Sequence, residues 1–114
     1  MELKQKSPID EALISKVNGI NDIVDYKTSS IVSHTVINKN TGTVTFFAFD
    51  KGEELSEHTS SFDALVSILD GKAEITISGN SFILESNEMI IMPADKPHAL
   101  RALDKFKMML VMIK

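Results

Sequence analysis

Histidine, methionine and serine side chains carry what chemistry this 114-residue chain has to offer. It has no cysteine, which excludes a thiolate nucleophile, a disulfide and thiolate-bound zinc. Of its three histidines, His58 lies in GEELSEHTSSFDALVSILDG, residues 52–71, with five residues between it and Gly52, and Gly71 closes the apolar run that follows. His98 lies in IIMPADKPHAL behind Pro93 and Pro97. Proline fixes φ, so this loop is expected to be stiff and to aim the His98 ring. An imidazole can accept or donate a hydrogen bond, bind a transition metal, or move a proton near neutral pH, because its ordinary pKa is about 6.5. Two histidines alone can hold zinc, nickel or copper, with most of the coordination sphere left to water or ligand. Ser60 is a weak donor to a divalent ion. Glu53, Glu54 and Glu57 read as a solvated acidic loop, and on a regular strand Glu57 points away from His58. His34, in SIVSHTVIN, reads as a surface residue on a strand. Met89, Met92, Met108, Met109 and Met112 read as fillers of irregular apolar gaps, although thioethers near two histidines would also favour a soft ion such as Cu(I).

These residues need elements to hold them. The length suits one domain. Ser7-Pro8 followed by IDEALISKV predicts a short helix capped by Ser7, with Asp10 and Glu11 at its positive end and Ile9, Leu13, Ile14 and Val17 as its apolar stripe. Beyond it the period changes to two. Eight short strands are predicted, in SIVSHTVIN, GTVTFFAFD, DALVSILDG, KAEITISG, NSFILES, EMIIMPA, HALRAL and FKMMLVMIK. NKNTG, SGNS and DGK supply turns in which Asn and Gly allow positive φ. Such a pattern predicts an all-β antiparallel sandwich or barrel, without choosing among jelly roll, immunoglobulin-like sandwich and lipocalin-like barrel.

The spacing of Gly52, His58, Gly71, Pro93 and His98 resembles the cupin superfamily, over about Gly42 to the C-terminus, and most closely its small single-domain bacterial members. The first cupin motif has a glycine, five residues, His-x-His, a glutamate and a closing glycine. Ser60 stands at the second histidine position and Ala64 at the glutamate position. In the second motif Asn87 and Asp95 stand where the family has glycines, while Pro93 and His98 match. The resemblance implies a cupin-type jelly-roll barrel over residues 26–114, with residues 1–25 as an N-terminal helical or extended segment against the barrel or a partner. It also implies that His58, Ser60, Ala64 and His98 point inward. Strand alternation then sends Val66 and Ile68 inward and Leu65, Ser67 and Leu69 outward. His58 and His98 would anchor a ligand, with Ser60 adding a hydroxyl and Ala64, Val66, Phe46 and Met92 a mainly apolar wall. Phe62 and Phe106 read as core or pocket wall. Met108 and Met112 share one strand face.

With two of four ligand positions emptied, the metal site is expected to be degenerate, weakly holding at most one divalent transition ion (Zn, Ni, Mn, Fe or Cu) on His58 and His98. Three functions stay open: a non-redox binding domain for a small organic molecule; a metal-assisted or metal-free isomerase, epimerase or lyase on a sugar or small carboxylate; and a dimeric sensor or interaction module, paired through SSIVSHTVIN. Net charge is −4, and lysine and arginine are scattered, which argues against a nucleic-acid partner. No apolar run approaches the ~20 residues of a membrane span, and the N-terminus lacks an apolar signal core, so a cytoplasmic protein is expected.

Overall fold

The structure, a computed structural model, describes residues 7–114. Residues 1–6 of the predicted N-terminal segment lie outside the described residues. The first five strands are β1 (Ile31–Lys39), β2 (Gly42–Phe49), β3 (Glu54–His58), β4 (Asp63–Asp70) and β5 (Lys72–Ile77). Four more follow: β6 (Asn80–Glu85), β7 (Met89–Met92), β8 (His98–Ala102) and β9 (Phe106–Ile113). They form two antiparallel sheets, ordered β1-β2-β9-β4-β7 and β3-β8-β5-β6. Neighbours in each sheet are mostly distant in sequence, so the chain crosses repeatedly between the two layers, as a jelly roll does.

The core lies between the sheets. Phe49, Val66, Ile68, Phe106 and Met108 enter it from the larger sheet, and Ile75, Leu84 and Leu100 from the smaller. The rings of Phe49 and Phe106 stack at 4.5 Å. On β4 the expected alternation holds: Ala64, Val66 and Ile68 are buried, whereas Leu65, Ser67 and Leu69 are only half-buried. A second apolar cluster, Val24, Phe46 and Ala48, lies on the outer face of the larger sheet beneath Ile23 and Tyr26.

Eight of the nine strands coincide with runs expected from sequence. β3 does not: its residues ELSEH carry two glutamates and one apolar side chain, the pattern of a solvated acidic loop. Only Leu55 in it is half-buried, and the strand exists by pairing with β8, with an irregularity between Leu55 and His58. Pairing here overrides a weak local preference.

The predicted N-terminal helix contracts to one 3-10 turn, Glu11–Leu13. Its cap is Asp10, whose carboxylate accepts from Ala12 N–H, and not Ser7. Residues 8–10 instead lie along β1: Ile9 bridges Ile37, and Asn38 N–H donates to Pro8 O at 2.7 Å. This extended pairing claims the chain that the helix would have used. It also splits the apolar stripe, leaving Ile9 and Leu13 half-buried and Ile14 and Val17 exposed.

The turns explain the glycine positions. Ser78 and Gly79 have φ of 49° and 82° and close the β5–β6 hairpin, so serine rather than asparagine takes the left-handed place there. Gly71 has φ 82°, and a Cβ on it would lie 1.9 Å from Lys105 O, so both backbone and space demand glycine.

Candidate functional site

His58 ends β3 and His98 opens β8, and the two are direct register partners. Their ring centroids are 4.2 Å apart, at an interplanar angle of 68°. The rings differ in surroundings, for His98 is buried at 6% exposure whereas His58 is exposed. Each ring is tied to the backbone carbonyl two residues before it. His58 Nδ1 lies 2.7 Å from Ser56 O, and His98 Nδ1 lies 3.2 Å from Lys96 O. A carbonyl oxygen only accepts, so each Nδ1 carries the proton, and each neutral ring keeps its lone pair on Nε2. Burial pushes the His98 pKa below its ordinary value; the hydrogen bond to Lys96 O opposes this, and the charge of a protonated His58 adds to it. His98 is therefore a neutral imidazole at pH 7.

Both rings border a cavity of about 100 Å³ at one end of the barrel. Ser60, Ala64 and Met92 also line it, as expected. Ser60 Oγ accepts from Phe62 N–H at 3.1 Å, which leaves its own proton to donate. The cavity end is braced by backbone. Asp95 N–H donates to Ser60 O at 2.7 Å, Ser78 N–H to Pro97 O at 2.9 Å, and Ala94 N–H to Asp63 Oδ1 at 2.9 Å. The proline loop before His98 is thus held from three sides. Asn87 and Asp95, which replace glycines of the second motif, have φ of 72° and 63°. Asparagine and aspartate tolerate the left-handed region, so the backbone frame survives the loss of both glycines.

Two sequence expectations need correction. Phe46 does not line the cavity. It pairs with His34 and Met109 on the outer face of the larger sheet and belongs to the cluster with Val24. TFFAF is apolar on both faces, so alternation alone assigned no direction to it. Val66 does point inward, but it is fully buried in the core and forms no part of the cavity wall. Conversely, Met108, Leu110 and Met112 from β9, with Leu55 and Leu100, line the cavity without having been singled out for it. The shared face of Met108 and Met112 was visible in sequence, but which face it was depended on pairing with β4.

His34 lies on the surface, where its Nε2 meets Asp10 Oδ2 at 2.6 Å. That hydrogen bond, with a second from Ala12 N–H, holds the Asp10 carboxyl below the usual range. A wider, open groove of about 440 Å³ crosses the outer face of the smaller sheet, between Glu54, Glu57, Glu74 and Arg101. Glu57 faces this groove and not the histidines. Glu74 is already engaged by Arg101 at 3.0 Å and by Ser81 Oγ at 2.8 Å. Of the two, the smaller cavity is the better candidate, since it combines an apolar wall with two adjacent imidazoles.

The donors at the cavity do not fit a three- or four-ligand centre for a divalent metal. Among the described residues no group of three or more His, Asp or Glu comes together. For a hard or borderline divalent ion only two imidazoles and a hydroxyl that already accepts an amide are on offer there.

The fold and site define a class: a double-sheet jelly-roll barrel with a histidine pair at one end. Residues 45–114 match the cupin domain family, and the chain belongs to it. A conserved protein of unknown function from Streptococcus pyogenes is 36% identical, with 97% of each chain covered and a TM-score of 0.90. A Cupin 2 conserved barrel domain protein from Leptotrichia buccalis is also 36% identical, over 82% of this chain and 46% of that one, with a TM-score of 0.80. Salicylate 1,2-dioxygenase from Pseudaminobacter salicylatoxidans shares the fold at 17% identity, over 73% of this chain and 26% of that one, with a TM-score of 0.68. No curated protein matches the sequence.

Proposed function

We propose that this cupin binds a small organic molecule at the histidine end of its barrel and performs no redox chemistry there. The observation that carries this reading is the register pairing of two imidazoles, each with Nδ1 tied to a carbonyl and Nε2 free, at the mouth of an apolar cavity. Neutral His98 offers an acceptor and Ser60 a donor, so an alcohol or amide suits the site better than a carboxylate. A cavity of about 100 Å³ is smaller than the ~150 Å³ that takes a benzene ring. Only a few ligand atoms fit inside, and any remainder leaves past exposed His58. The test is a titration with two- to four-carbon alcohols, diols and amides, followed by the ring signals of the three histidines in NMR. Selective movement of His58 and His98 with His34 still supports the reading; equal movement of all three, or none, counts against it.

A second reading is favoured by the contact between the two rings. A buried neutral imidazole against a solvated one is an acid–base pair, which suits a metal-free isomerase, epimerase or lyase with His98 as base. It predicts substrate-dependent proton exchange with solvent that His98→Gln abolishes.

A homodimer accompanies either reading. Val17 is 100% exposed and Ile20 53%, and among the described residues the edge of β1 is covered by the chain itself only near Ile37. Val17→Asp is expected to give a smaller particle in sedimentation; a parent already monomeric at micromolar concentration contradicts the dimer.

A further inference from the structure

The ligand position emptied at Ala64 has particular neighbours. Ala64 is the register partner of Met92 on β7 and, on its other side, of Met112 on β9. Residues directly opposite in antiparallel pairs share a face, with Cβ atoms about 4.5–5.5 Å apart. Met92, Ala64 and Met112 therefore form one row across the inner face of the sheet, and all three border the cavity that His58 and His98 close. Where the family motif has a hard carboxylate, this chain has a methyl group between two thioethers.

We propose that His58, His98, Met92 and Met112 form a binding site for a soft monovalent cation, Cu(I). The inference rests on the reading of this cavity mouth as a ligand site and differs from it in the ligand. Three arguments lead to it. Thioethers select soft ions such as Cu(I), and imidazole suits copper as it suits zinc. The site has no anionic donor, and the cost of moving an ion into an apolar cavity grows with the square of its charge, so a monovalent ion is far cheaper to hold than a divalent one. Both imidazoles present Nε2 lone pairs, because both Nδ1 protons are engaged by carbonyls.

The experiment uses the full chain with its methionine methyl groups labelled with carbon-13. Silver nitrate, a redox-inert stand-in for Cu(I), is added first. Cu(I) as its acetonitrile complex follows without oxygen, in competition with a chromogenic Cu(I) chelator, and zinc chloride is titrated in parallel. One equivalent of Ag(I) is expected to shift the methyl signals of Met92 and Met112 and the rings of His58 and His98. Exposed Met89 and surface His34 should stay in place. Met92→Leu and Met112→Leu keep side-chain volume. Each is expected to weaken Cu(I) by at least the roughly tenfold that even an indirect change near a metal costs, with zinc affinity unchanged. Cu(I) affinity unmoved in the double variant overturns the proposal, as does Ag(I) shifting Met89 as strongly as Met92. Zinc moving the histidine rings while Ag(I) leaves the Met92 and Met112 methyls still sinks the soft site but keeps the cavity reading. If no ion and no alcohol moves either ring, both fail.

Discussion

Replacing Ala64 by glutamate puts a carboxyl at the position where the family motif carries one, on the inner face of β4 between Met92 and Met112. Ala64 is 3% exposed, so the new group loses most of its water. The cavity beside it measures about 100 Å³, the liquid volume of about three waters. Crowding is therefore the smaller cost and desolvation the larger. With no cationic side chain bordering the cavity, the carboxyl is cheapest protonated. Protonating a group of ordinary pKa about 4.3 at pH 7 costs about 3–4 kcal/mol at 1.36 kcal/mol per unit, which sets the ceiling. For a chain of this length that corresponds to roughly 12–16 °C in Tm, at about 4 °C per kcal/mol. At pH 5 the same cost falls to about 1 kcal/mol. Zinc reverses the logic, because a carboxylate and two imidazoles make the three-donor set that the parent lacks. At a hundredfold excess over its Kd, zinc returns about 2.7 kcal/mol. The assay is thermal unfolding of parent and Ala64→Glu at pH 7 and pH 5, with and without zinc chloride. A variant as stable as the parent at pH 7 refutes the inward placement of position 64. A destabilised variant that zinc fails to rescue refutes the convergence of His58, His98 and that position.

Gly71→Ala should lower the urea midpoint by more than Gly52→Ala. Both have positive φ, worth about 1–2 kcal/mol to an L-residue, but only at Gly71 does the added Cβ strike backbone, at Lys105 O, whereas nothing lies within 4 Å at Gly52. Equal losses contradict the close approach. In metal-free protein, the His98 pKa is lowered first by burial, so on acidification the unfolded chain takes up its proton before the folded one. That contribution is fully present above about 6.5, the unfolded pKa, and is lost as pH falls from there through the folded value. His98→Gln should flatten the slope of stability between pH 7.5 and pH 5, and a slope unchanged in the variant refutes the assignment. Phe46→Leu, in the buried cluster on the outer face, should lower the urea midpoint and leave ligand-induced shifts of the His58 and His98 rings as in the parent; altered shifts would return Phe46 to the site.

Much of the architecture was readable from residue order. Period-two runs marked eight strands, most of which carry enough β-branched or aromatic side chains to declare their own preference; HALRAL, the run of β8, carries no β-branched residue and was marked by its alternation and punctuation. The spacing of Gly52, His58, Gly71, Pro93 and His98 located both ends of the site. The resemblance placed Ala64 inward, and alternation on β4 then set the direction of Val66, since one inward residue fixes the rest. Tertiary structure decided the remainder. Strand β3 forms only because β8 supplies its partner groups. Phe46 faces outward because pairing with His34 and Met109 places it there, and a strand apolar on both faces carries no such information itself. The two methionines beside Ala64 come from segments far apart in the chain, and only the register of β4 with β7 and β9 sets them in one row. Sequence spacing specifies what lies along a strand; what lies across it is specified by hydrogen-bonded register.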